Sequence, residues 1–329
     1  MMRILVVTNT YPNPDTPGHG TFIEQQIKGL RTIGLEVEVL FLDRFREGMG
    51  VYRNAGKRVL SCIEKFAPHV IHLMYGGVMA DVVTRAVAPH PTVVTFHGSD
   101  LLGENLSGIC RKFISRFGVY ASWRAARRAR GIIVVSKVLE SALPECIDRS
   151  KVFIIPCGID LDRFQVMDRK SSCEQLGWDC SSFHVLFNGN SKDPVKRPQL
   201  ARAAVLALHE LGVRAEFHEM RGVPNAEVLN WLNASDAVLL TSLHEGSPTI
   251  IKEALACNLP VVSVDVGDVR ERIEGIEGCY IAKPDVKNLS EKLNLVFRRG
   301  KRIDGRTRVQ ELSLENVASR LVNLYEKIL

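Results

Sequence analysis

The stretch that decides the fold runs Ala237-Val238-Leu239-Leu240-Thr241-Ser242-Leu243-His244-Glu245-Gly246-Ser247-Pro248-Thr249-Ile250-Ile251-Lys252-Glu253. It opens on a short continuous apolar run, passes through a polar loop, and ends in apolar residues at helical spacing. Ser247 suits an N-cap, and Pro248 suits the first helical position, where a backbone N–H is not needed. The stretch therefore predicts a buried strand that leads through a loop into a helix over Thr249 to Ala256.

The same alternation of strand and helix extends in both directions along the chain. Strand candidates in the first half are Arg3 to Thr8, Glu36 to Leu42, Val70 to Met74, Thr92 to Phe96, Gly131 to Val135 and Val152 to Ile155. Those in the second half are Val185 to Asn188, Ala215 to Glu219, Ala237 to Thr241, Pro260 to Val264 and Cys279 to Ile281. Helix candidates are Gly20 to Ile33, Ala55 to Phe66, Val78 to Val87, Leu139 to Leu143, Pro198 to Leu211, Ala226 to Asn233, Thr249 to Ala256, Val286 to Arg298 and Leu314 to Ile328.

The strand candidates are continuous apolar runs rather than alternating ones, which is typical of parallel sheets covered by helices on both faces. The pattern occurs twice, and the chain of 329 residues is long enough for two domains. Pro156 to Phe164 is the best linker candidate, because Pro and Gly end a strand there before a polar stretch. We therefore predict an α/β fold of two doubly wound, parallel-sheet domains.

Two glutamates, Glu245 and Glu253, lie on either side of the start of the helix quoted above. Backbone N–H groups at a helix N-terminus attract phosphate, whereas an ionised carboxylate repels phosphate and accepts hydrogen bonds from sugar hydroxyls. A site with both preferences fits a sugar nucleotide. An ordinary capped helix with two solvated carboxylates explains the local residues equally well, so the neighbouring motifs have to decide.

Ligands of doubly wound domains bind at the carboxyl ends of the strands, so the residues there are candidates. After the first strand, Gly18 and Gly20 would let the backbone approach a ligand closely. Their spacing differs from the G-x-G-x-x-G fingerprint, which disfavours a dehydrogenase. His97 follows the fourth strand candidate directly, before Gly98 and Asp100, and it could hydrogen-bond a sugar hydroxyl. Purely structural roles remain open for this loop and for His97.

Three cations, Lys192, Lys196 and Arg197, lie in the loop that follows the first strand of the second half. This position suits a diphosphate better than a solvated turn, although the spacing is not that of a P-loop. A departing diphosphate gains negative charge, so cations held there would stabilise the transition state more than the ground state. The sequence has no G-x-S-x-G elbow, and no second histidine lies at the spacing of a metal-ligand pair. It therefore does not support a hydrolase or a metal site.

The net positive charge is concentrated in the first half, where Met1 to Ile155 has 20 basic and 13 acidic residues. The segment Ile109 to Arg130 interleaves basic and apolar residues near helical spacing. We prefer a core-packed helix with a solvated basic face, and keep open a basic amphipathic helix on an anionic membrane surface. With a pI near 8.9 and no nucleic-acid motif, we expect no nucleic-acid partner.

The cysteine pattern and the hydropathy of the chain bear on its location. Eight cysteines without a C-x-x-C pair fit neither a zinc site nor a disulfide framework. No apolar run has the length of a secretory h-region or a membrane span. We expect a cytoplasmic protein, and contact with the inner face of the cell membrane is a further hypothesis.

Taken in order, several of these motifs resemble those of the retaining glycosyltransferases of family 4, of GT-B fold. They are the glycine loop, His97-Gly98-Ser99-Asp100, Pro156 to Phe164, the Lys196 loop, Gly222-Val223-Pro224 and, most specifically, Glu245-x7-Glu253. The resemblance implies two Rossmann-like domains that face a cleft. It places an acceptor-side domain at 1–157, a nucleotide-sugar domain at 158–312, and a helix at 313–329 that returns to the first domain.

The resemblance also implies roles for individual residues. Glu253 would bind the ribose diol, Glu245 would lie beside the donor sugar, and Lys196 would bind the diphosphate. His97 would touch the transferred sugar, and Gly20 would approach the diphosphate. Other donor contacts are implied for Val223 at the base and for the stretch Gly246, Ser247, Pro248 and Thr249 at sugar and phosphate.

The chain departs from the family pattern in the cationic loop. The family usually has Arg where this chain has Asn190, and Gly where it has Arg197. We hypothesise that Lys192 or Arg197 supplies the missing cation at the donor.

The resemblance implies a retaining transfer from a nucleotide diphosphate sugar, with UDP slightly favoured over GDP, to a hydroxyl acceptor that could be lipid-linked. We expect no cofactor and no required metal, because cations replace one, and a role in surface polysaccharide or glycolipid synthesis. His97, Glu245 and Lys196 are the candidate catalytic residues. Two alternatives remain, a catalytically inactive nucleotide-sugar-binding protein and a GT-B fold nucleotide-sugar epimerase.

Overall fold

The computed structural model describes residues 1–16, 18–104, 108–189 and 194–329. Within them the chain forms two compact units. The first unit comprises Met1–Gly158 together with Leu314–Leu329, and the second comprises Ile159–Ser313.

The first unit is built on a six-stranded parallel sheet. Its strands are β1 (Arg3–Thr8), β2 (Glu36–Phe41), β3 (Val70–Leu73), β4 (Thr92–Phe96), β5 (Gly131–Val134) and β6 (Val152–Ile154), in the order β2-β1-β3-β4-β5-β6. Its helices are α1 (Thr21–Thr32), α2 (Arg44–Glu47), α3 (Val51–Phe66), α4 (Gly77–Ala86), α5 (Ser99–Leu102), α6 (Ile109–Arg128), α7 (Lys137–Ser141) and, from the end of the chain, α15 (Leu314–Ile328). The strand order reverses between β1 and β3, which makes their carboxyl ends the expected ligand position.

Successive residues of the central strands serve two different cores, because their side chains point to opposite faces of the sheet. Leu5 and Val7 pack with α3 and α4 on one face, and Ile4 and Val6 pack with α1 and α15 on the other. All four side chains are fully buried. This double burial is the physical reason that the strand sequences show no polar alternation.

The C-terminal helix α15 is bound to the first unit by apolar packing and by a buried polar chain. Leu321 and Leu324 lie in the core beside α1. The Tyr325 hydroxyl lies 2.7 Å from His72 Nδ1, and His72 Nε2 lies 2.6 Å from Thr95 Oγ1. Burial lowers the pKa of His72 to about 3, so this imidazole is neutral near pH 7.

The second unit repeats the same topology with five parallel strands. They are β7 (Phe183–Asn188), β8 (Ala215–Met220), β9 (Ala237–Leu240), β10 (Val261–Val264) and β11 (Tyr280–Ala282), in the order β11-β10-β9-β7-β8. The helices are α8 (Arg169–Leu176), α9 (Pro198–Glu210), α10 (Val228–Ala234), α11 (Thr249–Ala256), α12 (Val269–Ile273), α13 (Val286–Arg299) and α14 (Arg306–Val309). The order reverses between β7 and β9.

The predicted fold class is confirmed, and the structure has a strand at each of the eleven predicted positions in the part of the chain it describes. The ends differ by at most two residues, the largest difference being the earlier start of β7 at Phe183. Five helices that were not predicted, α2, α5, α8, α12 and α14, have only four to eight residues. Such helices are too short to show a helical period in the sequence.

Candidate active site

The second unit brings Lys196 and Glu245 together at the point where its strand order reverses. Lys196 lies in the turn that follows β7, and Glu245 lies in the loop that follows β9. Lys196 Nζ donates to Glu245 Oε1 across 2.6 Å, and Ser242 Oγ donates to the same oxygen across 2.7 Å. The Lys196 and Glu245 side chains are 19% and 15% exposed, so water screens the pair only partly.

Hydrogen bonds to backbone carbonyls fix the two loops against each other. Thr241 Oγ1 donates to the Lys196 carbonyl across 2.8 Å, and Leu243 N donates to the Val195 carbonyl across 2.8 Å. The loops that carry Lys196 and Glu245 are therefore hydrogen-bonded to each other and do not move independently.

Arg197 holds the turn in place with both its backbone and its side chain. Its φ of 52° is left-handed, a conformation that favours glycine, at the residue before α9. Its guanidinium donates from Nε to the Thr241 carbonyl across 2.5 Å and from an Nη to the Ser242 carbonyl across 3.3 Å. Burial lowers the pKa of Arg197. The guanidinium is thus engaged with backbone carbonyls beside the Lys196–Glu245 pair.

The other two residues of the predicted cationic loop, Asn190 and Lys192, lie outside the described residues. The hypothesis that Lys192 or Arg197 supplies the missing cation stays a prediction.

The helix after Glu245 begins as predicted at Thr249, but its cap differs from the prediction. Pro248 is the N-cap residue rather than the first helical residue, and Ser247 makes no cap hydrogen bond. Ser247 Oγ donates to Asp268 Oδ2 across 2.9 Å and accepts from Lys252 Nζ across 3.1 Å. The Ser247 hydroxyl is thus engaged by the buried Asp268 carboxylate, which the sequence does not reveal, and by Lys252, instead of by backbone N–H groups of the helix.

Gly267 packs beneath the Gly246–Ser247 loop. Its φ is +57°, and a Cβ there would lie 2.7 Å from the Gly246 carbonyl oxygen and 3.2 Å from that of Glu245. Only glycine fits this position without moving the backbone that carries Glu245.

Glu253 lies within α11 in a partly buried position. Burial raises the pKa of Glu253 to about 7, while the charges of Arg163 and Lys252 oppose the rise. Arg163 is held by Asn225, whose carbonyl oxygen and Oδ1 accept from the same guanidinium nitrogen. With a pKa of about 7, Glu253 changes charge near neutral pH.

The predicted base contact Val223 packs, half-buried, against the apolar core of this unit.

The first unit places His97 at the carboxyl end of β4, above a buried carboxylate. Asp100 accepts from the backbone N–H groups of His97 at 3.0 Å, Gly98 at 2.8 Å and Gly76 at 3.0 Å. Burial raises the pKa of Asp100, and these hydrogen bonds oppose the rise. Asp100 therefore shapes the turn that positions His97 by binding its backbone.

Three side chains surround the His97 ring. The Phe22 ring centroid lies 4.8 Å away, the Tyr75 ring is stacked at 5.9 Å, and Cys157 Sγ lies 3.6 Å from Nδ1. Phe22 comes two residues after Gly20, which precedes α1 with φ +78°. A Cβ at Gly20 would lie 2.7 Å from the Thr10 carbonyl carbon. The structure therefore brings the predicted glycine loop and His97 to the same edge of the first sheet.

Helix α6 does not bury its apolar residues over its first three turns, so the preferred interpretation of a core-packed helix is wrong there. Ile109, Phe113, Ile114, Phe117 and Tyr120 are between 50% and 76% exposed. The later turns pack through Ala121, Ala125 and Ala126. Small alanines suffice for this packing, which leaves the large side chains on the surface beside Arg111, Lys112 and Arg116. Among the described residues, no helix combines the length and apolarity that crossing a bilayer requires.

Several residues that build the site were missed from the sequence. Asp268 and Arg163 act through partners distant along the chain. Ser242 binds Glu245, three residues further on, and Tyr75 packs on His97 from the end of β3. Tyr75 and Ser242 carried a signal that could have been used, because each lies just after a strand next to the reversal of strand order.

Comparison with known proteins agrees with this architecture. The family model described as Glycosyltransferase Family 4 matches residues 6–163, and the model described as Glycosyl transferases group 1 matches residues 176–298. The Bacillus subtilis protein TuaC, named as a teichuronic acid biosynthesis glycosyltransferase, is 26% identical over 82% of each chain.

Solved structures share the fold across both units. The sucrose-phosphate synthase of Thermosynechococcus elongatus superposes with a TM-score of 0.80 at 16% identity, over 99% of each chain. Anabaena HepE in complex with UDP-glucose gives 0.68 at 18% identity, over 100% of this chain and 98% of that one. The fold is that of the GT-B glycosyltransferases. The chain belongs to glycosyltransferase family 4, among the group 1 glycosyl transferases.

Proposed function

We propose that the protein transfers a sugar from a nucleoside diphosphate sugar to a hydroxyl acceptor, with retention of configuration. The observation that carries the proposal is the contact of Lys196 with Glu245 at the reversal of strand order in the second unit. It combines a cation for the diphosphate with an acceptor for sugar hydroxyls at the position where doubly wound sheets bind ligands.

In this proposal Lys196 binds the diphosphate and stabilises it as it leaves. Negative charge grows on the diphosphate as its bond to the sugar stretches, so a fixed ammonium stabilises the transition state more than the ground state. Glu245 holds Lys196 in place and accepts from a hydroxyl of the donor sugar. Because Oε1 already accepts from Lys196 and Ser242, the sugar hydroxyl is assigned to Oε2.

The remaining donor contacts follow the roles implied by the family. Glu253 accepts from the ribose hydroxyls, Val223 lies at the base, and the backbone of Gly246 to Thr249 binds sugar and phosphate. Lys192 or Arg197 adds a second cation in place of the family arginine. His97 and Gly20 act at the transferred sugar and the diphosphate.

Support for the donor and the pathway comes from proteins similar to this one. HepE has been solved with UDP-glucose, and TuaC is named for teichuronic acid biosynthesis. We propose a UDP-sugar as the first donor to test and a surface polysaccharide or glycolipid precursor as the acceptor. The transfer proceeds without a required metal, because Lys196 supplies the positive charge at the diphosphate, and it takes place on the cytoplasmic side.

The exposed face of α6 suits a lipid-linked acceptor. Phe113 and Phe117 offer apolar surface, and Arg111, Lys112 and Arg116 offer positive charge to anionic headgroups. We propose that this face rests on an anionic membrane surface.

The test of transfer uses a panel of UDP- and GDP-sugars with the purified protein, in the presence of EDTA. Release of nucleoside diphosphate is measured with and without a lipid extract as acceptor, and the anomeric configuration of the product is read by NMR. Acceptor-dependent release that is lost in Glu245→Gln supports the proposal. Donor binding without release would indicate an inactive binder, and an altered sugar still attached to its nucleotide would indicate an epimerase.

The membrane contact is tested by sedimentation with vesicles of phosphatidylglycerol and, separately, of phosphatidylcholine. We expect selective binding to the anionic vesicles, and loss of it in the double variant Phe113→Ser, Phe117→Ser. Leu206→Ser is the matched control, because Leu206 is 57% exposed on α9 of the other unit. Equal sedimentation with both lipids would contradict the membrane proposal and leave sugar transfer unaffected.

A further inference from the structure

Two histidines and a glutamate meet on neighbouring strands of the second unit, away from the donor residues. His184 lies on β7, and Glu216 and His218 lie two residues apart on β8, so their side chains share one face of the sheet. His184 Nδ1 lies 2.8 Å from His218 Nε2, and Glu216 Oε2 lies 3.8 Å and 3.7 Å from these two nitrogens. All three groups can bind a metal ion through these atoms.

The three separations are close to those of a tetrahedral metal site. Bonds of about 2.0 to 2.1 Å at tetrahedral angles place ligand atoms about 3.3 Å apart, between the observed 2.8 Å and 3.8 Å. Opening the two rings by about 0.5 Å and turning the Glu216 side chain, which is 39% exposed, would complete the geometry. The required movement is therefore limited to side chains.

The protein already orients His184 as metal-binding histidines are oriented. The Asp179 carbonyl lies 2.9 Å from His184 Nε2, and a carbonyl only accepts, so this nitrogen carries the proton. His184 Nδ1 then presents its lone pair toward His218 Nε2. In the metal-free state His218 Nε2–H donates to it, and on metal binding that proton moves through solvent to His218 Nδ1, which keeps both rings neutral.

The surroundings hold both rings and favour their neutral form. The Trp178 indole stacks on His218 with ring centroids 3.5 Å apart, and Trp231 meets the His218 ring edge-on at 6.3 Å. Burial, reinforced by the neighbouring His184, lowers the pKa of His218 to about 4, and burial also lowers the pKa of His184. Neutral imidazole is the form that binds a metal ion.

We propose that His184, Glu216 and His218 form a binding site for a divalent transition metal of the Zn²⁺ class. Water fills the fourth position. His184 precedes the end of β7 by four residues, about 13 Å along a strand, so the ion is remote from the Lys196 end of the sheet. It joins β7 to the edge strand β8 and stabilises the unit, and sugar transfer proceeds without it.

The site escaped the sequence analysis because its ligands belong to different strands. The two histidines lie 34 residues apart, and only the pairing of β7 with β8 brings them together.

The test uses full-length protein without a histidine tag, stripped with EDTA and then titrated with ZnCl₂ by calorimetry. We expect one equivalent to bind, and the midpoint of thermal unfolding to rise by about 5 °C at metal concentrations well above Kd. His218→Gln and Glu216→Gln should each weaken binding at least about tenfold. His90→Ala, at an exposed histidine of the first unit, is the control and should bind as the wild type does.

A second measurement, quenching of tryptophan fluorescence by a bound metal ion, tests the site if the variants fold poorly. Cu²⁺ or Co²⁺ at this site should quench tryptophan fluorescence by more than one third, because two of the three tryptophans contact the histidine cluster. Absence of a stoichiometric Zn²⁺ site in the wild type, or equal binding by His218→Gln and the wild type, would overturn the proposal. Because every readout is binding or stability, the outcome is independent of whether the protein transfers sugar.

Discussion

Lys196 and Glu245 are 49 residues apart in the chain, yet Lys196 Nζ and Glu245 Oε1 are joined by a hydrogen bond of 2.6 Å. The pair forms because β7 and β9 are adjacent in the sheet although β8 lies between them in sequence. A diphosphate that binds Lys196 must share the ammonium with Glu245. If Lys196 binds the diphosphate as proposed, the contact couples donor binding to the position of the Glu245 carboxylate.

We predict that Lys196→Met lowers the rate of sugar transfer by about 10²- to 10³-fold. Removing one preorganised charge that faces a developing negative charge costs about 3 to 4 kcal/mol of transition-state stabilisation. Initial rates at saturating donor measure the effect. Lys170→Met is the matched control, because Lys170 is exposed and pairs only loosely with Glu174 at 4.0 Å.

The double variant Lys196→Met, Glu245→Gln tests whether the pair acts as a unit. If Glu245 works partly by holding Lys196, the double variant should be little slower than the slower single variant, because coupled residues are not additive. Fully additive losses would show that the two side chains act independently and that their hydrogen bond is incidental to transfer.

For Glu253, we predict a trade-off between stability and donor binding. Its pKa is raised to about 7 in the folded protein from 4.5, so the folded state holds this proton more tightly than the unfolded state. The free energy of unfolding should therefore fall as pH rises from about 4.5 to 7 and level off above 7. At pH 8, Glu253→Gln should stabilise the protein by about 1 to 3 kcal/mol, and at pH 4.5 by little.

The same substitution should weaken nucleotide binding, because the ionised carboxylate is the acceptor proposed for the ribose hydroxyls. Affinity for UDP, measured by calorimetry, should rise between pH 5.5 and 8 in the wild type and stay flatter in Glu253→Gln. A variant that matches the wild type in UDP affinity at pH 8 would contradict the role of Glu253 at the ribose.

The glycine loop of the first unit offers a matched pair of variants. Gly20→Ala places a Cβ 2.7 Å from backbone atoms at a φ of +78°, whereas a Cβ at Gly18 has no atom within 4 Å. We expect Gly20→Ala to destabilise the protein by about 1 to 3 kcal/mol in urea unfolding, and Gly18→Ala to change it little. Phe22, two residues after Gly20, contacts the His97 ring. Gly20→Ala should therefore also slow sugar transfer.

The sequence predicted features that depend on local patterns, but not contacts between residues that are distant in the chain. The eleven strands were found because parallel strands buried on both faces carry continuous apolar runs, and that pattern is local. The helix Thr249 to Ala256 was found because its apolar residues recur at helical spacing, which is also a local pattern. Ser247 was assigned to the cap because its chemistry fits, but its hydroxyl binds Asp268, which lies 21 residues away.

The surface of α6 shows a second limit of sequence analysis. The apolar spacing over Ile109 to Arg130 predicted a packed helix, yet Phe113 and Phe117 are exposed while Ala121 and Ala125 are buried. Periodicity identifies the apolar residues of a helix, but it does not tell which of its turns reach the core.

Our last prediction concerns the buried hydroxyl that attaches α15 to the first unit. Tyr325→Phe leaves His72 Nδ1 without its 2.7 Å partner inside the core, and an unpaired buried polar group costs about 1 to 3 kcal/mol. Urea unfolding at pH 7 should show this loss, whereas the exposed Tyr120→Phe should behave as the wild type. Because the pKa of His72 is lowered to about 3, the unfolded state binds more protons between pH 6.5 and 3, and stability falls as pH falls through that range. His72→Gln should reduce this pH dependence, and an unchanged profile would show that other groups cause the acid sensitivity.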